Sequence, residues 1–124
     1  MPVKTYKELI VWQKAMDLTV EIYRLVKLLP KSEIYVLSDQ MRRAAISIPS
    51  NIAEGQGRSS VKEYVKFLSF ARGSQTELET QLQICLRLDY FSEKDAEIAL
   101  NLCEEISKML VVMMKKLADK DKSL

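Results

Sequence analysis

Mostly apolar residues recur at alternating intervals of three and four between residues 61 and 85, and this repeat restricts the fold more than any other feature. The positions are Val61, Tyr64, Leu68, Ala71, Gln75, Leu78, Leu82 and Cys85. The repeat places one stripe along a helix, with the spacing found in closely packed and nearly aligned helices. Ser60–Glu63 reads as a capping box that begins this helix, which ends near Leu88. Because Gln75 is the one polar residue on the stripe, its amide is expected to fix the register between helices.

Three further amphipathic segments predict three more helices. The first begins at the capping box Thr5–Glu8 and ends at Pro30, since the residue before a proline avoids the helical conformation. The last begins at Ser92–Asp95, where the aspartate takes the place of the capping-box glutamate, and it continues to about Leu117. The second helix begins between residues 32 and 38.

A proline inside the second helix predicts a kink. Pro49 removes one backbone hydrogen bond and clashes with the carbonyl of Ala45, four residues earlier. The apolar spacing nevertheless continues through Ile48 and Ile52, so we expect a bent helix and not two separate helices.

Five residues around this proline and in the third helix are interpreted as structural: Asn51, Glu54, Gly55, Gly57 and Gly73. The first two side chains can bind backbone groups that the proline frees or that the helix end leaves open. The glycines at 55 and 57 are expected to terminate the second helix. The glycine at 73 lies mid-helix, where it costs about 1 kcal/mol relative to alanine, so we expect another helix to approach it closely.

These elements predict an all-α fold, an antiparallel up-down-up-down four-helix bundle with a Pro-kinked second helix. Short connections force consecutive helices to run antiparallel. The 124 residues fit one bundle domain over 1–124, with an ordered core at about 5–117. Only three glycines and three prolines occur, which is too few for a turn-rich all-β protein.

The composition argues against an enzyme, a metal site, a cofactor and a small-molecule substrate. The chain has no histidine, so it lacks the commonest general base and the histidine-dependent nucleophile pairs. Two isolated cysteines cannot complete a zinc shell, and Cys85 and Cys103 are expected to be reduced core thiols. No secretory leader and no run of about 18 uncharged apolar residues is found, so we expect a cytoplasmic protein without a membrane span.

The helices carry more apolar surface than one bundle can bury. A bundle helix buries about three residues in seven, whereas the first helix has two apolar stripes, and further apolar residues flank the third and fourth stripes. Large exposed apolar patches usually mark association sites. The interpretation is that identical subunits cover these faces; the alternative is that boundary residues are half exposed.

Basic residues are concentrated in the first half of the chain. Residues 1–58 contain nine Lys and Arg against six Asp and Glu, whereas residues 59–124 contain ten against eleven. Such an excess can attract phosphates, although a solvated surface is the commoner explanation. The candidate phosphate contacts are Arg42, Arg43, Arg58, Lys62 and Arg72, with Lys7 and Lys14 as further candidates. The alternative for the adjacent arginines is a subunit interface or pairing with Asp39.

Several motifs resemble one known family. Residues 42–58 read RRAAISIPSNIAEGQGR, and the segments Tyr6–Leu9, Val11–Lys14 and Phe67–Ser74 accompany them. Together they resemble the four-helix-bundle family encoded by intervening sequences in bacterial 23S rRNA genes. The resemblance implies a ring-like homopentamer without established enzymatic activity. It also implies kinship with the accessory variability protein of diversity-generating retroelements, which binds nucleic acid through a basic surface.

The function hypothesis combines these observations with the resemblance. It describes a non-catalytic homo-oligomer, a pentamer by resemblance, that binds RNA or another nucleic acid electrostatically and with weak sequence specificity. The alternative hypothesis is a structural scaffold that binds a protein partner and has no nucleic-acid role.

Overall fold

The computed structural model describes residues 5–122, and α-helices make up most of them. They are α1 Ile10–Val26, α2 Leu37–Gln56, α3 Val61–Arg87 and α4 Glu93–Lys122, with two short 3-10 helices at Tyr6–Glu8 and Lys31–Glu33. No strand occurs in this part of the chain. The prediction of an all-α fold with four helices is confirmed.

Each long helix packs against two others and closes a bundle: α1 contacts α2 and α4, and α3 contacts the same two helices. Between α1 and α4, Lys14 Nζ lies 2.5 Å from Glu105 Oε2, and Arg24 Nη2 donates to the carbonyl of Asp95 at 2.9 Å. Later residues of α1 thus meet earlier residues of α4, so these two helices run antiparallel. None of the helices in residues 5–122 is both long enough and apolar enough to cross a membrane.

The core lies between the four predicted stripes. On α3 the apolar positions of the predicted stripe from Leu68 to Cys85 are fully buried. Both cysteines are free thiols inside this core, as predicted. Burial raises the pKa of the Cys85 thiol to about 11 and that of Cys103 to about 12, because a thiolate would lose its hydration there.

Two of the three predicted capping boxes begin a helix. Ser60 Oγ accepts a hydrogen bond from Glu63 N at 3.1 Å, which begins α3. Ser92 Oγ accepts from Asp95 N at 3.1 Å, while Asp95 Oδ2 accepts from Ser92 N. The Thr5 box is wrong for α1: its hydroxyl accepts from Lys7 N at the start of the 3-10 helix, and α1 itself begins five residues after it.

The second helix continues through its proline. It begins at Leu37, inside the predicted range, and runs uninterrupted past Pro49 to Gln56, while the predicted kink stays a prediction. Because Pro49 has no N–H, the carbonyl of Ala45 loses its usual partner. The hydroxyl of Thr19 on α1 can share its one proton with this carbonyl, since its Oγ1 lies 2.9 Å from Ala15 O and 3.2 Å from Ala45 O.

Asn51 does not bind the backbone carbonyl that the proline frees, as was expected, but another one in the same helix. Its Nδ2 donates to the carbonyl of Ser47 at 2.8 Å and to the hydroxyl of the same residue at 2.9 Å. Ser47 Oγ in turn lies 2.8 Å from Ser74 Oγ on α3. Asn51 therefore belongs to a polar contact between α2 and α3.

Two glycine predictions and the glutamine prediction are corrected. Gly55 lies inside α2 and is buried against α3, so it is a close-approach position and not a terminator. Gly57 does follow the last residue of α2, with a right-handed φ of −83°. Gly73 is exposed, and no atom that a Cβ would meet lies within 4 Å of it. The buried Gln75 donates to Glu79 of its own helix, not to another helix.

Candidate nucleic-acid interface

The seven cations predicted from the sequence do not lie on one surface. Lys14 is paired with Glu105 on the α1–α4 side, whereas Arg43 pairs with Asp39 at 3.1 Å on α2. The adjacent Arg42 points elsewhere, because its Nη2 lies 3.5 Å from the carbonyl of Ile34 before the helix. Adjacent helix positions diverge by about 100°, so the arginine pair cannot act as one phosphate clamp.

Apart from Arg42, whose guanidinium lies near a backbone carbonyl, three of the predicted cations have no ion pair within residues 5–122: Lys7, Lys62 and Arg72. All three side chains are exposed. Lys7 belongs to the 3-10 helix before α1, while the other two lie ten residues apart on α3. Ten residues of helix span about 15 Å, so Arg72 is separate from Lys62.

The turn between α2 and α3 does bring two predicted cations together. Arg58 lies in the four-residue connection, and Lys62 lies in the first turn of α3. Lys66, which is not among the cations predicted from the sequence, follows Lys62 by four residues and therefore lies on the same helix face. All three side chains are exposed.

Two phenylalanines lie directly beside these cations. The guanidinium carbon of Arg58 lies 4.6 Å from the centre of the Phe67 ring, and Lys66 Nζ lies 5.9 Å from the Phe70 ring. The two rings meet edge-on, 5.7 Å apart at 82°. A cation over an aromatic face is attracted by the ring quadrupole, so these contacts hold the charges at the surface.

Close approach of α2 to α3 holds the inner ring in place. A Cβ on Gly55 would lie only 2.8 Å from the Cβ of Phe67 and 3.3 Å from the carbonyl oxygen of Tyr64. The absence of a side chain at Gly55 therefore lets the Phe67 backbone lie against α2. Phe67 therefore lies against α2 through its Cβ, while Arg58 lies over its ring.

One carboxylate balances part of this charge. Glu54 Oε1 lies 2.5 Å from Arg58 Nη2, and the two residues are four positions apart. Glu63, in the first turn of α3, is the other acidic residue nearby. We call the set Glu54, Arg58, Lys62, Lys66, Phe67 and Phe70 the turn cluster. Its three cations outnumber the paired Glu54 and the neighbouring Glu63, so the surface keeps a net positive charge that can bind an anionic group. Its exposed ring can stack on a flat group.

The sequence contained an indication of the missed residues. Lys62, Lys66 and Phe70 recur at intervals of four on the side of α3 away from the buried stripe. A search of the sequence for cations alone overlooks this arrangement, because a phenylalanine in a helix is usually assigned to the core. Among the described residues, no group of three or more His, Cys, Asp or Glu is arranged to hold a metal ion.

Large apolar side chains also remain exposed outside the turn cluster. On α1, Met16, Val20 and Tyr23 follow one another at intervals of four and three, and Val20 is 69% exposed. Beside them, a surface groove of about 350 Å³ runs between α1 and α2. Its lining is formed by Tyr6, Trp12, Met16, Thr19, Ile46, Pro49, Ser50 and Ala53. We call Met16, Val20 and Tyr23 the α1 stripe.

Comparison with known proteins gives a family match and a structural match. Residues 7–112 match the family described as 23S rRNA-intervening sequence protein. The fold is similar to the crystal structure of a protein with unknown function from the S23 ribosomal protein family of Bacteroides thetaiotaomicron. The two chains are 29% identical with a TM-score of 0.79, and the match covers 86% of this chain and 99% of the other. No curated protein matches the chain.

Proposed function

The chain belongs to the 23S rRNA-intervening sequence protein family, and we propose that it acts as a non-catalytic homo-oligomer that binds RNA or another nucleic acid. Binding is electrostatic and occurs at the turn cluster. The observation that carries this proposal is the grouping of Arg58, Lys62 and Lys66 as exposed side chains at the α2–α3 connection and the start of α3. Lysine and arginine bind nucleic acids by replacing the counterions of the phosphate backbone.

Assembly is the second part of the proposal, and the α1 stripe supports it. A folded bundle has already buried one face of each helix, so a second row of exposed apolar residues on α1 needs another cover. A second copy of the chain provides that cover most simply. The resemblance to the family predicts that the assembly has five subunits.

We expect Val20→Glu to convert the assembly into smaller species, because it places a charge in the centre of the α1 stripe. The mass in solution at micromolar concentration is measured by light scattering. Gln83→Glu is the matched control, since it adds the same charge at an exposed polar position of α3 and should keep the mass unchanged. A wild-type protein that is a stable single subunit at this concentration would remove the assembly part of the proposal.

We expect Lys62→Glu/Lys66→Glu to weaken RNA binding about tenfold or more at low salt, because two phosphate contacts become repulsions. Binding is measured by fluorescence anisotropy over a salt series, and the slope of log affinity against log salt should fall by about 1 to 2. Lys27→Glu/Lys31→Glu is the control, because it makes the same charge change at two exposed lysines in the connection between α1 and α2.

The outcomes separate this function from the protein scaffold. Equal losses in the two double variants would show that net charge matters and the turn cluster does not. If the wild-type protein binds no RNA or DNA at low salt, the nucleic-acid proposal fails and the scaffold hypothesis remains. If binding occurs but is insensitive to salt, the electrostatic mechanism fails.

A further inference from the structure

We infer that the nucleic acid recognised at the turn cluster is single-stranded, and that an unpaired base stacks on Phe70. The inference rests on the proposed function and adds the structural class of the ligand. The side chain of Phe70 is 48% exposed although it is aromatic, and it lies within the basic part of the surface. Aromatic side chains combined with a basic surface are the usual means of binding single strands.

The order of residues along α3 suits a strand that follows the helix. Lys62, Lys66 and Phe70 lie at intervals of four residues, each a rise of about 6 Å along the same face. A strand running along this face can place phosphates near the two lysines and a base over the ring. In a duplex the base faces are covered by their neighbours, so only an unpaired base offers a face to Phe70.

The aromatic pair is ordered before any ligand arrives. Phe67 lies against the backbone at Gly55 through its Cβ, Arg58 lies over its ring, and Phe70 meets that ring edge-on at 5.7 Å. A ring that is already held in place loses little conformational freedom when a base stacks on it. The rings are held in place, whereas the lysine side chains are flexible. Stacking on Phe70, more than the lysine contacts, is therefore expected to produce the preference for single strands.

Charge favours a nucleic acid over a second copy of this chain as the occupant. The turn cluster carries three cations, of which Lys66 lies over the exposed ring, and only Glu54 pairs with one of them. Two copies meeting symmetrically through this surface would bring the same positive charges together, which is unfavourable. A phosphate backbone instead complements them.

The test compares a mixed-sequence 12-nucleotide RNA with the same RNA in a 12-base-pair duplex, at one low salt concentration and by fluorescence anisotropy. We expect tighter binding of the single strand. Phe70→Leu should weaken single-strand binding about fivefold to tenfold and leave duplex binding unchanged, because leucine keeps the apolar surface and loses the aromatic face. Phe70→Trp should retain single-strand binding.

Tyr35→Leu is the matched control. Tyr35 is 91% exposed, which makes it the most exposed of the large hydrophobic side chains in residues 5–122, and it lies before α2. Its replacement should leave both affinities unchanged. Circular dichroism of each variant checks that the helices remain folded.

Each result has a defined meaning. Equal affinity for both RNAs together with no effect of Phe70→Leu overturns the inference and leaves the proposed function intact. Absence of binding to either RNA overturns the proposed function itself. If Phe70→Leu alters the mass of the assembly and leaves RNA affinity unchanged, Phe70 is a subunit contact and the inference is wrong.

Discussion

Gly55→Ala is expected to lower the free energy of unfolding by about 2 kcal/mol, and Gly55→Val by about 3 kcal/mol. Alanine is the better helix former, so helix propensity alone predicts the opposite sign. The added Cβ would lie 2.8 Å from Phe67 Cβ and 3.3 Å from the Tyr64 carbonyl oxygen. Neither atom is the far end of a flexible side chain, so α2 and α3 must separate to accommodate the methyl group.

Gly73→Ala is the control within the same protein. Gly73 is also helical, but it has no neighbouring atom within 4 Å of an added Cβ. Alanine there should raise the free energy of unfolding by about 0.5 to 1 kcal/mol. Urea unfolding is measured at several protein concentrations, because assembly adds to the apparent stability. Destabilisation of similar size at both glycines would contradict the assignment of Gly55 as the close-approach position.

The two glycines also show what the sequence can predict. Both lie within a helix, and the sequence predicts a close approach at Gly73 and a helix end at Gly55. The close approach is instead at Gly55, because the α2 stripe Met41, Ala45, Ile48 and Ile52 continues at regular spacing to it, whereas Gly73 lies exposed inside α3. The spacing of the apolar residues therefore places Gly55 on the buried face of α2. The prediction of a helix end at Gly55 relied instead on the general preference of glycine for helix ends.

The core was predictable because it depends on periodicity along one helix at a time. The candidate site was harder to predict, because it depends on the directions in which side chains point. A count of charges along the sequence does not contain those directions. Arg42 and Arg43 are neighbours in sequence, but one contacts the Ile34 carbonyl and the other pairs with Asp39. Arg58 and Lys62 are grouped only because the connection between α2 and α3 is four residues long. Turn length, more than charge density, decides which cations can cooperate.

Thr19→Val is expected to lower the free energy of unfolding by about 2 kcal/mol, because it leaves a partly buried carbonyl without a donor. That carbonyl belongs to Ala45, whose helical partner at position 49 is a proline. Valine has nearly the same shape as threonine, so the packing between α1 and α2 changes little. Denaturant unfolding measures the loss.

Thr80→Val is the control for local effects. Thr80 Oγ1 donates to the carbonyl of Thr76 at 2.9 Å, as Thr19 donates within α1 to Ala15 at the same distance. Thr80 has no contact of this kind with a second helix. Its replacement should change the free energy of unfolding by less than about 0.5 kcal/mol.

Pairing Thr19→Val with Pro49→Ala isolates the contact between helices. Alanine at position 49 restores the N–H that can bind the Ala45 carbonyl within α2, so the hydroxyl of Thr19 becomes dispensable. The cost of Thr19→Val should therefore fall by about 1 kcal/mol in the Pro49→Ala background. An equal cost in both backgrounds would assign the effect to the Ala15 bond. A positive coupling instead explains how α2 keeps a proline in its interior: α1 supplies the hydrogen bond that α2 cannot make for itself.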